Sequence, residues 1–478
     1  YNPFALFPQY LYSFFIGDNK MTNKILIKNG DVITMDSKFK ESEKLDVLVT
    51  NGNIEQISAD IEPQEGFKVI DASTMIVLPG LINSHIHTWQ TGLRGLGSDW
   101  TATNYFRAMH AGMATFFQPN DSYIANLVGA LNQINNGVTT LVDWHHNNKT
   151  PDHSDAAIDG LEESGIRAVF LHGTPKPDPK PGQKHFSEFG MPKKEVERLR
   201  KERFSNDDQL LTMGLAILGP QMATEQVSIE DFRLAKDLDI IASIHHSGLK
   251  MSAPSGYKMG AKENLLDKRI NIVHGNELLE EDFQILKDAG ATFTVTSEVE
   301  MQMSYGDPLS GRLVKNKIPF SIGTDIESAY APDMFAAMRL TMQVERHLTS
   351  RAEQKITGER PHPIPVSTKD ALSWATIHGA NTFRLDKSIG SITQGKKADI
   401  ILVRKNDLNL VGNFNSLNAI VSFCHPGNVD TVLINGNIVK ENGSLKYNGI
   451  LEKIDKLMMS GNRILKEFKE KSHTSSFL

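Results

Sequence analysis

Cysteine is nearly absent from this sequence of 478 residues, which contains Cys424 alone. A single cysteine forms no disulfide within the chain, and it excludes metal sites built from paired cysteines, including the paired-cysteine signature of zinc deaminases. Histidine is plentiful by comparison, with 16 residues. Imidazole and carboxylate groups are then what remains for a transition metal, so any such site must combine His with Asp or Glu.

Excess charge and long hydrophobic runs are missing as well. Lys and Arg total 51 against 57 Asp and Glu, which gives a formal net charge of −6. A mildly acidic chain lacks the electrostatic footprint of a nucleic-acid binder, so we expect no nucleic-acid partner. The apolar runs are strand-length and fall short of the roughly 20 residues that span a bilayer. We therefore expect no membrane association, and we expect a cytoplasmic protein.

Both ends of the chain contain β-rich runs with Asn-Gly pairs. Asn-Gly between such runs predicts tight hairpins, because both central turn positions adopt positive φ. Segments 21–78 and 390–449 therefore predict one small β-sandwich assembled from the two ends. Residues 1–20 are aromatic and lack a basic start, and we interpret them as added or upstream sequence or a disordered arm. A native arm that packs on the surface is the alternative.

The middle of the chain, residues 79–389, alternates short β-branched runs with amphipathic stretches. Eight alternating β/α units are typical of a TIM barrel, so the predicted fold is α/β, a (β/α)8 barrel flanked by the β-sandwich. The lysine- and proline-rich stretch 174–203 predicts a long loop and a charged helix, which either cover the active site or form a solvated insertion. The predicted strands end near Ser84, Asp143, His172, Ala216, His245, His274, Thr296 and Asp325.

Residues 450–478 place apolar side chains at roughly helical spacing. This pattern predicts a C-terminal amphipathic helix that serves for packing or as a dimer surface. On that basis we expect a homodimer or a higher homo-oligomer.

The motif LPGLINSHIHTWQ at residues 78–90 carries the clearest chemistry. His85 and His87 are two residues apart on a predicted strand, so both side chains point to the same face and can meet one ion. They also lie at the carboxyl end of the first barrel strand, where barrel active sites are built. The pair therefore predicts part of a metal site.

Further polar residues end other predicted strands. His245 and His246 end the fifth strand, His274 ends the sixth, and Asp325 ends the eighth. A satisfied core histidine or a loop cap explains any one of these residues about as well as function does. Because several strands finish this way at the same end of the barrel, we favour a shared functional site.

This order of residues resembles the amidohydrolase superfamily. More narrowly, it is similar to the mononuclear branch that contains cytosine, guanine and adenosylhomocysteine deaminases and the atrazine and triazine hydrolases. The motif LPGLINSHIHT matches the first strand of that branch, and GVTTLVD followed by SGIRAVF matches the second and third strands. The segment GANTFRLDKSIGSITQGKKADIILV at 379–403 resembles its return from the barrel to the β-sandwich. The likeness covers nearly the whole chain after Met21.

The resemblance implies one divalent metal ion, with zinc as first choice and iron or manganese as alternatives. The implied ligands are His85, His87, Asp325 and one residue of the fifth strand. Counting along that strand favours His245 over His246, and the alternative stays open. His274 is the implied residue that polarises the substrate. Asp325 is implied to accept a proton from the metal-bound water, which thereby becomes hydroxide, and to pass that proton to the leaving group. The implied function is hydrolysis of a non-peptide C–N bond in a small heterocycle.

One departure from this branch concerns the fifth strand. Deaminases of the branch carry a Glu three residues after the strand-5 histidine, and His245 is followed here by Ser247, Gly248 and Lys250 without a carboxylate at that offset. A missing general acid typically costs about 10²–10⁴-fold in rate. Either Glu298 or Glu300 reaches the site from a neighbouring strand, or the substrate has a good leaving group such as a halide.

Three other residues are weaker candidates for contact with the substrate. Trp89 and Gln90 follow the metal motif, and His145 ends the second strand beside Trp144, whose ring offers a stacking face. Packing explains them about equally well. The alternatives for function are a cyclic-amide hydrolase, a dehalogenase, or a non-catalytic binding member of the family.

Overall fold

The structure is a computed structural model, and it describes residues 24–471. Residues 1–20, which we expect to be an arm or added sequence, lie outside the described residues. No helix between residues 24 and 471 is both long enough and apolar enough to cross a membrane.

The described strands fall into three groups along the chain. The first group is β1 (Lys24–Val32), β2 (Glu43–Thr50), β3 (Asn53–Ser58), β4 (Phe67–Asp71) and β5 (Met75–Pro79). The second group is β6 (Leu81–Ile86), β7 (Val138–His145), β8 (Arg167–Gly173), β9 (Leu211–Ile217), β10 (Ala242–His246), β11 (Ile270–His274), β12 (Thr292–Val295) and β13 (Ser321–Ile322). The third group is β14 (Ile400–Arg404), β15 (Val429–Ile434), β16 (Asn437–Glu441) and β17 (Ser444–Leu445).

Helices separate most of the strands in the middle group and follow them to residue 471. They are α1 (Ala102–Tyr105), α2 (Pro119–Asn135), α3 (Pro151–Ser164), α4 (Lys193–Glu202), α5 (Gly219–Met222), α6 (Glu225–Asp237), α7 (Gly256–Lys262), α8 (Glu280–Asp288), α9 (Ser297–Gln302), α10 (Ser310–Lys315), α11 (Met334–Thr357), α12 (Thr368–Trp374), α13 (Ile377–Thr382), α14 (Ser416–Ser422) and α15 (Ile450–Lys471). Helix α4 and the loop before it match the prediction for residues 174–203.

Strands β6 to β13 pair in sequence order, each parallel to the next. A bridge between Ile86 and Asp325 brings the two ends of this sheet together. The eight strands therefore form a nearly closed TIM-like barrel, as predicted, and each strand ends within three residues of its predicted end. The carboxyl ends of all eight strands lie at one rim, which is where the polar residues of the motifs meet.

The strands of the two chain ends form one mixed sheet of nine strands, in which β14 pairs antiparallel with β5. Hairpins of this sheet turn at Asn-Gly pairs, since Asn51 and Gly52 have φ of 49° and 83°, and Asn435 and Gly436 have φ of 50° and 74°. Such positive φ values at both central positions are what a two-residue hairpin turn requires. The hairpin prediction is wrong for Asn29-Gly30, which lies inside β1 at a shift in strand register. The predicted assembly of one β module from both ends is confirmed in this sheet.

Two contacts join the barrel to the elements around it. Arg167 at the start of β8 donates from Nε and Nη2 to Asp399, at 2.7 and 3.1 Å, and both side chains are buried. On the opposite side, α15 buries Leu457, Ile464 and Phe468 against the chain. The predicted C-terminal helix thus packs on its own barrel, close to the first metal-motif residues.

Candidate active site

Four potential metal ligands meet at the carboxyl ends of β6, β10 and β13. They are His85, His87, His245 and Asp325, and all four are buried. One donor atom from each lies within 4.8 Å of the donor atoms of the other three. The side chains that the sequence separates by as much as 240 residues therefore surround one point.

Two imidazoles share one carboxylate oxygen. His85 Nε2 and His87 Nε2 each lie 3.2 Å from Asp325 Oδ1, and His245 Nε2 lies 3.1 Å from His85 Nε2. Backbone hydrogen bonds hold the same residues together, because His87 N donates to Asp325 O at 2.8 Å and Asp325 N donates to His85 O at 2.9 Å. The closure of the barrel thus fixes the distance between the His-x-His motif and Asp325.

Trp144 orients two of the imidazoles. His87 Nδ1 lies 2.9 Å from the carbonyl oxygen of Trp144, which can only accept, so Nδ1–H donates and the Nε2 lone pair faces the other ligands. The indole of Trp144 stacks on the His245 ring, with 3.8 Å between the ring centroids. The residue offered as a stacking face for substrate therefore packs directly against a candidate ligand.

Burial favours the neutral form of His85 and His245, whereas hydrogen bonds favour the ionised form of Asp325. Burial lowers the pKa of His85 to about 4 and holds the pKa of His245 well below its usual range. Burial opposes ionisation of Asp325, but hydrogen bonds from His85 and His87 hold the pKa of Asp325 well below its usual value. Neutral imidazole and ionised carboxylate are the protonation states that bind metal ions.

The neighbouring strand end supplies His274. Its Nε2 lies 4.0 Å from Asp325 Oδ2, and its Nδ1 lies 3.0 Å from Thr296 Oγ1 and 3.4 Å from Glu300 Oε1. Glu300 is itself fixed, because its Oε1 accepts from Thr296 N at 2.7 Å. Glu300 therefore lies behind His274, on the ring edge opposite Asp325.

His274 and Asp325 both have backbone in the left-handed region. Their φ angles are +70° and +64°. Residues other than glycine adopt this conformation at a cost of the order of 1–3 kcal/mol, and such residues cluster at functional sites. The strained pair lies at two strand ends of the same rim, which marks this rim as the functional end of the barrel.

The residues present fit a divalent metal ion. The chemistry of the donor set, three imidazole nitrogens and one carboxylate oxygen, suits zinc, and iron or manganese as well. Nδ1 of His85 has no hydrogen-bond partner among the described residues, although it is buried. A metal-binding site is therefore apparent, composed of His and Asp side chains as the cysteine-poor composition requires.

A cavity opens beside these ligands and leaves about 350 Å³ of space between atoms, its mouth included. The part of it that admits the centre of a water-sized sphere is about 30 Å³. Asp325 is the one carboxylate among the described residues that line it. The lining residues are His87, Tyr105, Phe106, His110, Lys176, Met222, His245, Ser247, His274, Met303, Tyr305, Asp325 and Ile326.

Four polar lining residues were not singled out by the sequence, namely Tyr105, His110, Lys176 and Tyr305. The segment Phe106–His110 forms a turn of π-helix, a feature frequent at functional sites. Residue spacing does not reveal such a turn. Lys176 lies in the loop that the sequence offers as a cover for the active site. That expectation applied equally to every lysine of the loop and did not single out Lys176.

The structure places Trp89 and Gln90 behind the cavity wall. Trp89 is fully buried, and its ring packs against Phe117 and His146 at 5.2 and 5.3 Å between centroids. Gln90 Nε2 donates to Tyr105 Oη at 2.6 Å. Neither residue lines the cavity: Gln90 contacts the lining residue Tyr105, and Trp89 packs behind the wall.

His145, Glu298 and Glu300 also lie off the cavity wall. His145 points away from the site, with its ring 5.6 Å from that of Phe170 and its Nδ1 3.5 Å from Asp143 Oδ2. Glu298 is half-buried, and burial followed by the charge of Asp333 raises its pKa. Of the two glutamates offered as replacements for the missing acid, Glu300 is the one in contact with a site residue, and that contact is with His274 rather than with the cavity.

The two histidines of β10 point to opposite sides. His245 joins the ligand group, and His246 Nδ1 lies 3.1 Å from Tyr257 Oη on α7. The structure therefore brings His245, rather than His246, to the other three donors.

Comparison with known proteins identifies relatives along most of the chain. The 5-methylthioadenosine/S-adenosylhomocysteine deaminase of Acetivibrio thermocellus is 26% identical over 433 residues, which cover 88% of this chain and 95% of the relative. The 5'-deoxyadenosine deaminase of Methanobrevibacter smithii is 27% identical over 440 residues, covering 88% and 94%.

Solved structures share the fold. An adenosine deaminase from Xanthomonas campestris with bound zinc matches with a TM-score of 0.76 at 18% identity, over 93% of this chain and 99% of that one. An atrazine chlorohydrolase from Arthrobacter aurescens complexed with zinc matches with a TM-score of 0.77 at 20% identity, over 91% and 100%. The profile of the Amidohydrolase family matches residues 76–439, which include the barrel and all four donors. With the His/His/His/Asp group at its rim, the chain belongs to the amidohydrolase family.

Proposed function

We propose that this protein is a metal-dependent hydrolase that cleaves a non-peptide C–N bond in a small heterocycle. The observation that carries the proposal is the convergence of His85, His87, His245 and Asp325 beside a cavity that also exposes His274. The deaminase relatives and the atrazine chlorohydrolase neighbour support the reaction class, since both kinds of enzyme displace a substituent from a nitrogen-containing ring.

We infer one divalent ion, with zinc as first choice and iron or manganese as alternatives. His85, His87, His245 and Asp325 would hold it. When bound, such an ion acts as a Lewis acid and brings the pKa of a water ligand towards about 7. Zinc is supported by the donor set and by the zinc in the two solved relatives.

The two oxygens of Asp325 have different surroundings. Oδ1 faces His85 and His87, whereas Oδ2 faces Nε2 of His274 at 4.0 Å. Oδ1 is therefore placed as the ligand atom, and Oδ2 is free to take the proton of the attacking water. A buried carboxylate oxygen that is not a metal ligand would be suited to accept this proton as a general base.

His274 acts on the substrate side. Thr296 and Glu300 accept from its Nδ1–H, so Nε2 faces the substrate and carries a proton only in the imidazolium form, from which it can protonate the substituent that gains charge during attack. A carboxylate behind a histidine fixes the ring and stabilises the imidazolium form. The pair of Glu300 and His274 is our proposed source of the leaving-group proton, because Gly248 occupies the position where related deaminases carry Glu.

Displacement of a better leaving group is the second candidate function. It is favoured by one observation, that Asp325 is the one carboxylate among the described lining residues. Halide leaves without protonation, so a dehalogenase needs no additional acid. A cyclic-amide hydrolase is the remaining alternative, and ring opening distinguishes it.

The test is a screen of metal-loaded protein against amino-, chloro- and cyclic-amide heterocycles, reading ammonia, halide and ring opening. Asp325→Asn is expected to lower the hydrolysis rate by about 10²–10⁴-fold with the fold intact. Asp307→Asn, on an exposed loop residue, is the matched control and should retain full activity. Undiminished activity in Asp325→Asn, or a wild-type protein that binds none of the three metals, contradicts the proposal.

A further inference from the structure

Lys176 is a buried cation without a hydrogen-bonding or ion-pair partner among the described residues of the cavity wall. Its side chain is 7% exposed and lines the same cavity as Asp325 and His274. It makes no hydrogen bond or ion pair with any residue between 24 and 471. Its Nζ lies over the ring of Phe106, 5.8 Å from the ring centroid, which is a weak cation–π contact.

Packing alone does not account for this placement. Lysine is almost never buried unless it is paired, because an ammonium group loses its hydration when it leaves water. That loss is visible in the pKa of Lys176, which burial lowers to about 8 while the charge of Asp325 opposes the change. Lys180, four residues further along the same loop, is exposed. Burial of Lys176 therefore costs the folded chain a loss of hydration that the exposed Lys180 does not incur.

The side chains around Lys176 indicate what kind of ligand fits beside it. Tyr105, Phe106 and Tyr305 line the cavity with aromatic rings, whose faces suit a planar ring. An ammonium group donates hydrogen bonds and accepts none. Its complement on a planar ring is an oxygen acceptor with negative charge or strong polarity.

We propose that Lys176 binds an exocyclic oxygen of a planar nitrogen heterocycle and so selects oxo-substituted rings over rings that lack the oxygen. The inference rests on the proposed function in taking this cavity as the substrate site. It narrows the substrate class to oxo-substituted heterocycles. Lys176 acts here as a specificity-determining residue, since it would touch substrate away from the attacked carbon.

The experiment compares ring pairs that differ by one oxo group. Cytosine is set against 4-aminopyrimidine, and isocytosine against 2-aminopyrimidine, with affinity measured by calorimetry on metal-loaded protein at neutral pH. For a ring that is turned over, kcat/KM replaces affinity. The variants are Lys176→Met, which removes the charge at similar length, and Lys176→Arg, which keeps it, with Lys180→Met as the matched control in the same loop.

Wild type and Lys180→Met are expected to favour the oxo ring of at least one pair by about tenfold or more, the usual worth of a hydrogen bond to a charged group. Lys176→Met should lose that preference while its affinity for the ring without oxygen is retained, and Lys176→Arg should keep part of it. The inference is overturned if Lys176→Met shows the wild-type preference, or if wild type binds neither oxo ring at millimolar concentration.

The two proposals fail separately. If metal-loaded wild type hydrolyses no ring but shows an oxo preference that Lys176→Met abolishes, the proposed function fails and the role of Lys176 stands. If rings are hydrolysed with the same preference in wild type and Lys176→Met, the role of Lys176 fails and the hydrolase proposal stands.

Discussion

Replacing His245 and His246 in turn is the most direct test of the metal centre, because the two are neighbours with opposite surroundings. His245 Nε2 lies 3.1 Å from His85 Nε2, within the ligand group, whereas His246 Nδ1 contacts Tyr257 Oη. His245→Ala should therefore remove a ligand. His246→Ala should leave the ligands in place and destabilise the fold by about 1–3 kcal/mol, since the buried Tyr257 hydroxyl loses its partner.

The size of the metal effect follows from linkage. At a free metal concentration one hundred times its dissociation constant, binding stabilises the folded chain by about 2.7 kcal/mol. Unfolding entropy is about 2.1 cal/mol/K per residue, or about 1 kcal/mol/K for a chain of this length, so the expected rise in Tm is about 3 °C. Loss of a residue that only orients a ligand already costs about 10–100-fold in affinity. For loss of His245 itself we expect at least the upper value, which reduces the rise in Tm to below about 0.5 °C.

The assay measures metal content by elemental analysis and Tm with and without added zinc, after removal of bound metal by a chelator. Wild type and His246→Ala should bind one ion per chain and show the full rise in Tm, while His245→Ala should show neither. The reverse result, with metal retained in His245→Ala and lost in His246→Ala, would refute the strand register argued here. Full metal binding in both variants would refute the assignment of the site.

Two further predictions concern carboxylates outside the ligand group. Glu300→Gln should lower kcat by about 10–100-fold with KM little changed, because Gln keeps the hydrogen bond from Thr296 but no longer stabilises a charged His274. Steady-state kinetics measure this effect. Glu298→Gln, on the same helix, is the control and should leave kcat unchanged. Asp231 has a pKa raised by burial to about 7, against about 3.9 in the unfolded chain, so it lowers stability progressively as pH rises from about 4 to 7. Asp231→Asn retains an acceptor for Met191 N, and its stability advantage over wild type in urea unfolding should be about 3 kcal/mol larger at pH 8 than at pH 5. An advantage that is equal at both pH values contradicts this account.

Features set by local spacing were predictable from the sequence. The His85 and His87 pair follows from the two-residue period of a strand, and the hairpins follow from the conformational needs of Asn-Gly. The β10 register is predictable for the same reason. Ala242 and Ile244 pack on the helix side of the strand, so the alternate positions, ending in His245, point to the barrel interior.

Features set by tertiary packing were not predictable. Residues 143–146 are polar or aromatic throughout, so alternation did not show which of them point inward, and a shift of one position exchanges the two faces of a strand. In the structure Trp144 faces the site and His145 faces Phe170 on the other side. The burial of Lys176 was not predictable for a related reason. A lysine in a polar loop is ordinarily exposed, and Lys176 is buried by contacts with residues that are distant in the sequence.

The scarcity of carboxylates in the cavity wall and the presence of Lys176 are connected. A second carboxylate in the lining would pair with the lysine and neutralise its charge. Asp325 is the one carboxylate among the described lining residues, so Lys176 keeps its charge for the ligand, and proton delivery is left to His274 with Glu300 behind it. A ring whose leaving group needs no proton from a carboxylate, and whose oxygen accepts from an ammonium, satisfies both conditions. The single carboxylate and the buried lysine of the lining thus both fit the substrate class proposed above, an oxo-substituted heterocycle.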